Sequence, residues 1–219
     1  MTIATEYSIQ QKVLTFEEFL TNYGDDDRYE LIDGEVFDLE PTGPHEEIAA
    51  IIGQWLNFEI IQQQLNLFIP HRCLIKPIGN FTGFRPDVIV LDRGELGREP
   101  LWAKQPIITL GRSVKFVAEI VSSNWQNDYA RKLEDYAALG IPEYWIADYA
   151  ALGGVQCIGK PKQPTLTLCT LVDGEYETQK LRGNDRLISS TFPNLNLTAR
   201  DILNASESTN PNSSRKLKM

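Results

Sequence analysis

Between Phe16 and Ala150 the spacing of apolar positions changes repeatedly, and each change predicts an element. "TFEEFL" predicts a short helix capped by Thr15, with Glu18 three residues on. "RYELIDGEVFDLE" predicts two short strands, Arg28–Ile32 and Glu35–Leu39, turning on Asp33-Gly34. Ile48, Ile51, Ile52, Trp55 and Phe58 then recur at helical spacing, which predicts an amphipathic helix from Pro44 to about Leu65 with these five on its apolar face. Strands are expected over Leu67–Ile75 and Pro86–Leu91, followed by a surface excursion through "DRGELGREPLWAKQPIITLG". The run from Lys115 to Val121 reads as a buried strand, and a helix from about Asn124 to Leu139 follows, closed by Gly140 and Pro142. "EYWIAD" is a further strand. Beyond Ala150, Gly153–Ile158, Leu166–Val172 and Glu175–Leu181 read as a meander with a tight turn at Asp173-Gly174. No internal repeat is visible. The order predicts an α/β (α+β) fold: a mixed central sheet with helices on its faces and extra β-hairpins, in a single domain over 1–203. From Asn204 the chain loses its periodicity and reads as a disordered tail.

Two of the buried-looking strands carry an acid. Glu119 stands in "KFVAEIV" and Asp87 opens "DVIVLD" behind Pro86. A carboxylate buried in an apolar strand is unfavourable unless something compensates it. Two apolar strands with one carboxylate each suit a hard divalent cation such as Mg²⁺, which takes oxygen ligands and keeps positions for water and phosphate. A plainer account also fits the spacing: Asp87 can turn the chain after Pro86, and Glu119 can pair with Arg85, Arg72 or Lys76.

Composition narrows the field. Hydrophobic residues are 42% and charged residues 23%, ordinary for a globular protein. No apolar run approaches a membrane span of roughly 18–20 residues. The start "MTIATEYSIQQ" lacks signal-peptide character, so a cytoplasmic location is the default. Cys73, Cys157 and Cys169 form no CxxC pair, which argues against a zinc site or a disulfide scaffold. The net charge of -9 works against a nucleic-acid partner unless a local basic patch and metal ions overcome the overall field.

"RPDVIVLD", then "VAEIVS", then "DYARKLEDYAALGIPEYWIAD" resembles the Uma2 family of restriction endonuclease-like proteins, abundant in cyanobacteria. The resemblance runs from roughly Thr15 to Ala150 and includes "YELIDGEV" and the Pro44-His45 entry to the first long helix. It implies a PD-(D/E)xK nuclease core over about 44–150, with 151–203 as a β-rich extension. It also implies a Mg²⁺- or Mn²⁺-dependent endonuclease acting on nucleic acid, with DNA the expected substrate. Carried over, Asp87 and Glu119 are metal ligands and the main-chain carbonyl of Ile120 is a third oxygen. The sequence departs from the pattern two residues after Glu119, where Val121 stands in place of lysine. The resemblance supplies Lys132 as the substitute, in line with Asp128 and Tyr136 at i, i+4 and i+8. The plain alternative is an exposed Asp128–Lys132 pair worth about 0.3–0.5 kcal/mol.

His45 and Glu47, both one helical turn from core positions, are further candidates for the site. His71, Tyr144 and Trp145 read as structural, and Trp125 as a candidate base-stacking residue. Cutting both strands of a duplex calls for two sites, so a homodimer is expected, through the early hairpin or the segment from Gly153 to Leu181. The rival from another class is a nuclease fold used as a non-catalytic binding or assembly module; the missing lysine and the acidic charge favour it. A hydrolase of small phosphoesters has no specific motif behind it.

Overall fold

The computed structural model describes residues 13–204, so the tail read from Asn204 onward lies, apart from Asn204 itself, outside the described residues. Helix α1 (Phe16–Tyr23) starts on a complete capping box: the Glu18 amide donates to Thr15 Oγ1, and the Thr15 amide donates to the Glu18 carboxylate. Strands β1 (Tyr29–Ile32) and β2 (Glu35–Asp38) pair antiparallel. Between them Asp33 and Gly34 take φ of 50° and 84°, the left-handed pair that a two-residue hairpin requires. Helix α2 (Gly43–Gln62) has Pro44 in its first turn, where the missing amide costs no hydrogen bond.

Two expectations fail just beyond it. The single strand expected over Leu67–Ile75 is two short ones, β3 (Leu67–Phe68) and β4 (Leu74–Ile75), in different sheets. Pro70 lies between them and cannot donate to a ladder. After β5 (Val88–Asp92), the expected surface excursion proves partly interior. Its strand β6 (Ile107–Ile108) is buried and pairs parallel with β4. Glu99 draws the excursion in, its carboxylate accepting from the Thr109 and Leu110 amides at 2.9 and 3.1 Å.

The central sheet has six strands in the order β10-β9-β8-β7-β5-β3. Here β7 is Val114–Ile120, β8 is Glu143–Asp148, β9 is Thr165–Val172 and β10 is Glu175–Leu181. β7 and β8 run parallel, joined through helix α3 (Lys132–Leu139), and every other neighbouring pair is antiparallel. The sheet is therefore mixed. β9 pairs with β8, so the chain after Ala150 continues the central sheet. Its first expected strand, Gly153–Ile158, is instead a short helix, α4 (Val155–Ile158). Gly153 and Gly154 precede it, and the Asp148 carboxylate accepts from the Leu152 and Gly153 amides, turning the chain out of the sheet before a ladder can form.

Strand alternation divides the core between the two faces. Val88, Val90, Phe116, Ala118, Ile120, Trp145 and Ala147 face α2 and the terminal helix α5 (Ala199–Leu203). Ile89, Leu91, Val117, Val121, Tyr144 and Ile146 face α3. Helix α2 does not bury the whole stripe expected of it: Ile48 and Ile52 are fully buried, Ile51 is half-buried, and Trp55 and Phe58 are exposed. The buried line instead continues through Leu56 and Ile60, because the sheet accepts one ridge of the helix and no second layer covers the next.

Glu143, at the start of β8, shows how a carboxylate can be buried without a cation. It accepts from Trp145 Nε1, Ser189 Oγ, Ser190 Oγ and the Thr191 amide at 2.7–2.9 Å, pinning the 189–192 turn against the sheet. Glu143→Ala strands these donors in the interior. It should lower unfolding free energy by about 3 kcal/mol in urea titration, the scale for lost hydrogen bonds to a buried charge; a change within about 0.5 kcal/mol, as at ordinary surface sites, would show that the turn is held by other means.

Candidate active site

Period-two alternation puts Glu119 on the α3 face of β7, between Ala118 and Ile120, which face the other way. What meets it there comes from the helix that follows. That helix is not regular α throughout. Asn127–Arg131 form a π-helical turn, with the Lys132 amide donating to the Asn127 carbonyl, and α3 proper begins at Lys132. Single π turns of this kind cluster at functional sites. Asp128, Lys132 and Tyr136 all point from this helix toward Glu119. Lys132 Nζ lies 3.0 Å from Glu119 Oε2 and 3.3 Å from Asp128 Oδ1, and Tyr136 donates its hydroxyl to Glu119 Oε1 at 2.7 Å.

A third acid completes the arrangement. Glu30, on β1, lies 3.5 Å from Lys132 Nζ and accepts the Arg85 amide through its other oxygen. The ammonium has three protons and three carboxylates around it. None of these groups is at the surface: Lys132 is 4% exposed, Glu119 and Glu30 2%, and Asp128 6%. The exposed helix pair considered from sequence is therefore excluded. So are the pairings of Glu119 with Arg85, Arg72 or Lys76. Arg85 turns its guanidinium to Tyr29, Gly24 and Asp27, Arg72 pairs with Asp27, and Lys76 donates to the Gly79 carbonyl.

Asp87 and His45 form the open side of the site. The Ile120 amide donates to Asp87 Oδ2 at 2.7 Å, while His45 Nε2 stands 3.1 Å from the Ile120 carbonyl and 3.4 Å from the same Asp87 oxygen. His45 Nδ1 is buried without a hydrogen-bond partner. These residues line a cavity of about 460 Å³ at the carboxyl ends of the parallel pair β7 and β8, with Thr42, Ser122, Asn127 and Leu152 around its mouth. Ligands commonly bind at this end of parallel strands.

The charge balance is lopsided. Glu30, Asp87, Glu119 and Asp128 share one ammonium and one imidazole. Burial pushes the Glu119 carboxyl well above its ordinary pKa; Lys132 offsets part of this, and the neighbouring acids push it further up. Glu30 rises for the same first reason, and Asp128 is pushed up to about 7. For Lys132 and His45 burial works in the opposite direction, but the acids around Lys132 and the contact of Asp87 with His45 outweigh it, and both pKa values rise. The cluster thus holds its cations firmly and takes up protons for want of more positive charge.

Of the residues singled out from sequence, Asp87, Glu119, Ile120, Lys132 and His45 meet at the cavity. Glu47 does not: it is exposed on α2. Trp125 is half-buried against Tyr129, away from the cavity lining, and His71 is exposed. Sequence reasoning passed over Glu30, although "YELI" carries the same signal as Glu119, a single acid among apolar strand residues.

Comparison with known proteins agrees with this geometry. Residues 16–200 match the profile of Uma2, described as "Putative restriction endonuclease". The chain belongs to the Uma2 family. The match extends some fifty residues past the blocks that carry the resemblance, through β9 and β10. No curated protein matches. Among solved structures, this Uma2 chain is similar to the crystal structure of a "putative nuclease belonging to DUF820" from Anabaena variabilis. The TM-score is 0.64 at 18% identity, covering 88% of this chain and 98% of that one, a likeness of fold. No helix among the described residues is long and apolar enough to cross a membrane.

The raised acids give the Uma2 fold a testable pH signature. Asp128 has an ordinary pKa of 3.8 and a folded value of about 7, so the folded state binds this proton more tightly. Its contribution to stability is complete below pH 3.8 and is lost as pH rises through about 7. Asp128→Asn should flatten that part of a melting-temperature profile. Parallel wild-type and variant profiles across the window would mean that Asp128 ionises normally.

Proposed function

We propose that this Uma2 protein is an endonuclease that hydrolyses phosphodiester bonds of nucleic acid, DNA foremost, with a divalent cation, Mg²⁺ or Mn²⁺, held at Asp87, Glu119 and the Ile120 carbonyl. The observation that carries this is the surplus of acids at one cavity: Glu30, Glu119 and Asp128 around one ammonium, with Asp87 as a fourth acid beside His45. A hard cation offsets such a surplus. Among the described residues no three Asp, Glu, His or Cys side chains converge to hold a metal by themselves. Two carboxylates and one carbonyl, with the remaining positions left to water and substrate, match the way Mg²⁺ is usually bound. When bound, the cation supplies Lewis-acid activation of water and of a phosphate oxygen.

The side chains have separable tasks. Lys132 has its three protons directed at three carboxylates, so it acts as a positioning residue, fixing the Glu119 rotamer and offsetting part of its charge. Tyr136 holds the second Glu119 oxygen. The Ile120 amide fixes Asp87, and His45 Nε2 holds a proton between Asp87 and the Ile120 carbonyl. Lys132→Met, harmless at an exposed pair, would here leave buried acids without their cation, so activity tests belong on Asp87, whose side chain is 21% exposed.

A basic margin beside the cavity supports the choice of substrate. From Tyr149 to Val172 the chain has no acidic residue, although the net charge is -9. Exposed Lys162 donates to the carbonyl of Leu152, which lines the cavity, and exposed Lys180 donates to the Gln156 carbonyl. Lys160, also exposed, belongs to the same acid-free run, and these three cations are the ones this reading assigns to backbone phosphates.

Plasmid and single-stranded DNA incubated with Mg²⁺ or Mn²⁺ should be cut, EDTA should stop the reaction, and Asp87→Asn should slow it roughly a hundredfold or more. Intact substrate under all conditions would transfer the fold to the non-catalytic binding module, which the buried Val121 at the usual lysine position favours. Binding in EDTA provides a second test. Lys160→Gln/Lys162→Gln/Lys180→Gln should make the log K against log salt slope for duplex DNA shallower by about 2 to 3, at roughly 0.9 per phosphate contact. An unchanged slope would place the nucleic acid elsewhere.

A further inference from the structure

The exposed side of α2 is an apolar surface that the site does not use. Trp55 is 40% exposed, Phe58 54%, Ile61 68% and Leu65, just past the helix end, 37%. Trp55 and Phe58 are one turn apart with their rings edge to face, and Ile61 follows at the same spacing. From Ile48 to Leu65 the one charged residue is Glu59, and it is buried. In a chain of net charge -9, an uncharged strip of this length is unusual surface.

We infer that this face is a homodimer interface, with a second copy of the chain packed antiparallel along α2 about a twofold axis at Phe58. The order of side chains supports self-recognition. Counting outward from Phe58 in both directions pairs Trp55 with Ile61 and Gln54 with Gln62 on the helix, with Leu65 just past its end. A twofold axis at Phe58 therefore sets apolar against apolar and amide against amide, while Phe58 meets its own copy. Each side-chain amide offers both donors and an acceptor, so the two glutamines satisfy one another reciprocally. Such self-complementarity is what an isologous contact demands.

Charge selects the occupant. Two copies that each carry -9 repel over most of their surfaces, and this strip lets them approach without setting acid against acid. A nucleic acid gains nothing from a surface without cations. Size is adequate: Ile51 to Gln62 spans about 16 Å of helix, and aromatic side chains that bury about 150–250 Å² each when fully enclosed bring the contact toward the several hundred Å² per copy that specific dimers use. The β10 edge expected from sequence is less suitable, because Glu175, Glu177 and Lys180 stand exposed along it, as charges do on guarded edges. The cavities remain open in this dimer: His45 lies about 20 Å along the helix from the axis.

Sedimentation velocity at tens of micromolar should give wild type a mass of twice 24.8 kDa. Phe58→Glu should sediment at 24.8 kDa with an unchanged circular dichroism spectrum, since the side chain is more than half exposed. Phe58→Lys should likewise be monomeric, and an equal mixture of the two should reform the dimer, because opposite charges then meet at the axis. If Phe58→Glu fails to fold, Trp55→Gln/Ile61→Gln provides the same test with uncharged replacements. A monomeric wild type overturns the proposal and assigns the strip to a different protein partner. A dimer unmoved by these substitutions overturns it too, placing the interface elsewhere. Neither measurement depends on cleavage, so the nuclease reading stands or falls separately.

Discussion

The contact between Lys132 and Glu119 is the point on which the rest of the structure turns. It links the first helical turn of α3 to the carboxyl end of β7, two elements that the chain must bring together to close a parallel crossover. A buried ion pair of this kind adds little net stability over a well-packed apolar pair, but losing one partner is strongly unfavourable because the other is left as an isolated charge. The pair therefore acts mainly as a constraint on geometry. It sets which face of α3 meets the sheet, and through Tyr136 and Asp128 it brings a hydroxyl and a second acid to the same place.

That constraint also explains why the site is electrically unbalanced. An ammonium surrounded by Glu119, Asp128 and Glu30 neutralises only one of them, and Arg85, which lines the same cavity, commits its guanidinium to Asp27, Gly24 and Tyr29. The interior thus holds more acid than base by design of the fold, and Asp87 adds to the excess at the cavity edge. A protein that served only as a scaffold could bury these positions as apolar residues with no loss of packing. Glu143 makes the contrast: its carboxylate is equally buried but fully satisfied by neutral donors. The donors around Glu143 are complete, whereas the cations around the cluster are not.

The two sides of α2 separate the two kinds of surface on this molecule. Its first turn brings His45 to the acids, while its later turns present an uncharged apolar strip to the outside. The cavity and the apolar strip are thereby placed at opposite ends of one helix.

Much of this was legible in the sequence, and the limits follow from distance along the chain. The capping box at Thr15, the Asp33-Gly34 turn, the proline entry to α2, and strands β7 to β10 depend on neighbouring residues, and all appear near their expected positions. Glu119 and Asp87 were visible because an acid in an apolar strand is unfavourable by itself. Local pattern could not tell a core stripe from an exposed one on α2, since Trp55 and Phe58 are as apolar as Ile48 and only the width of the sheet decides which ridge it covers. Nor could it show that residues 107–108 are interior, that 155–158 turn into a helix, or that Glu30 reaches Lys132 across a hundred residues of chain. The sequence by itself determined which residues were costly to bury. The tertiary structure alone decided what each would meet, because the compensating charges lie on elements that become neighbours only when the sheet is assembled.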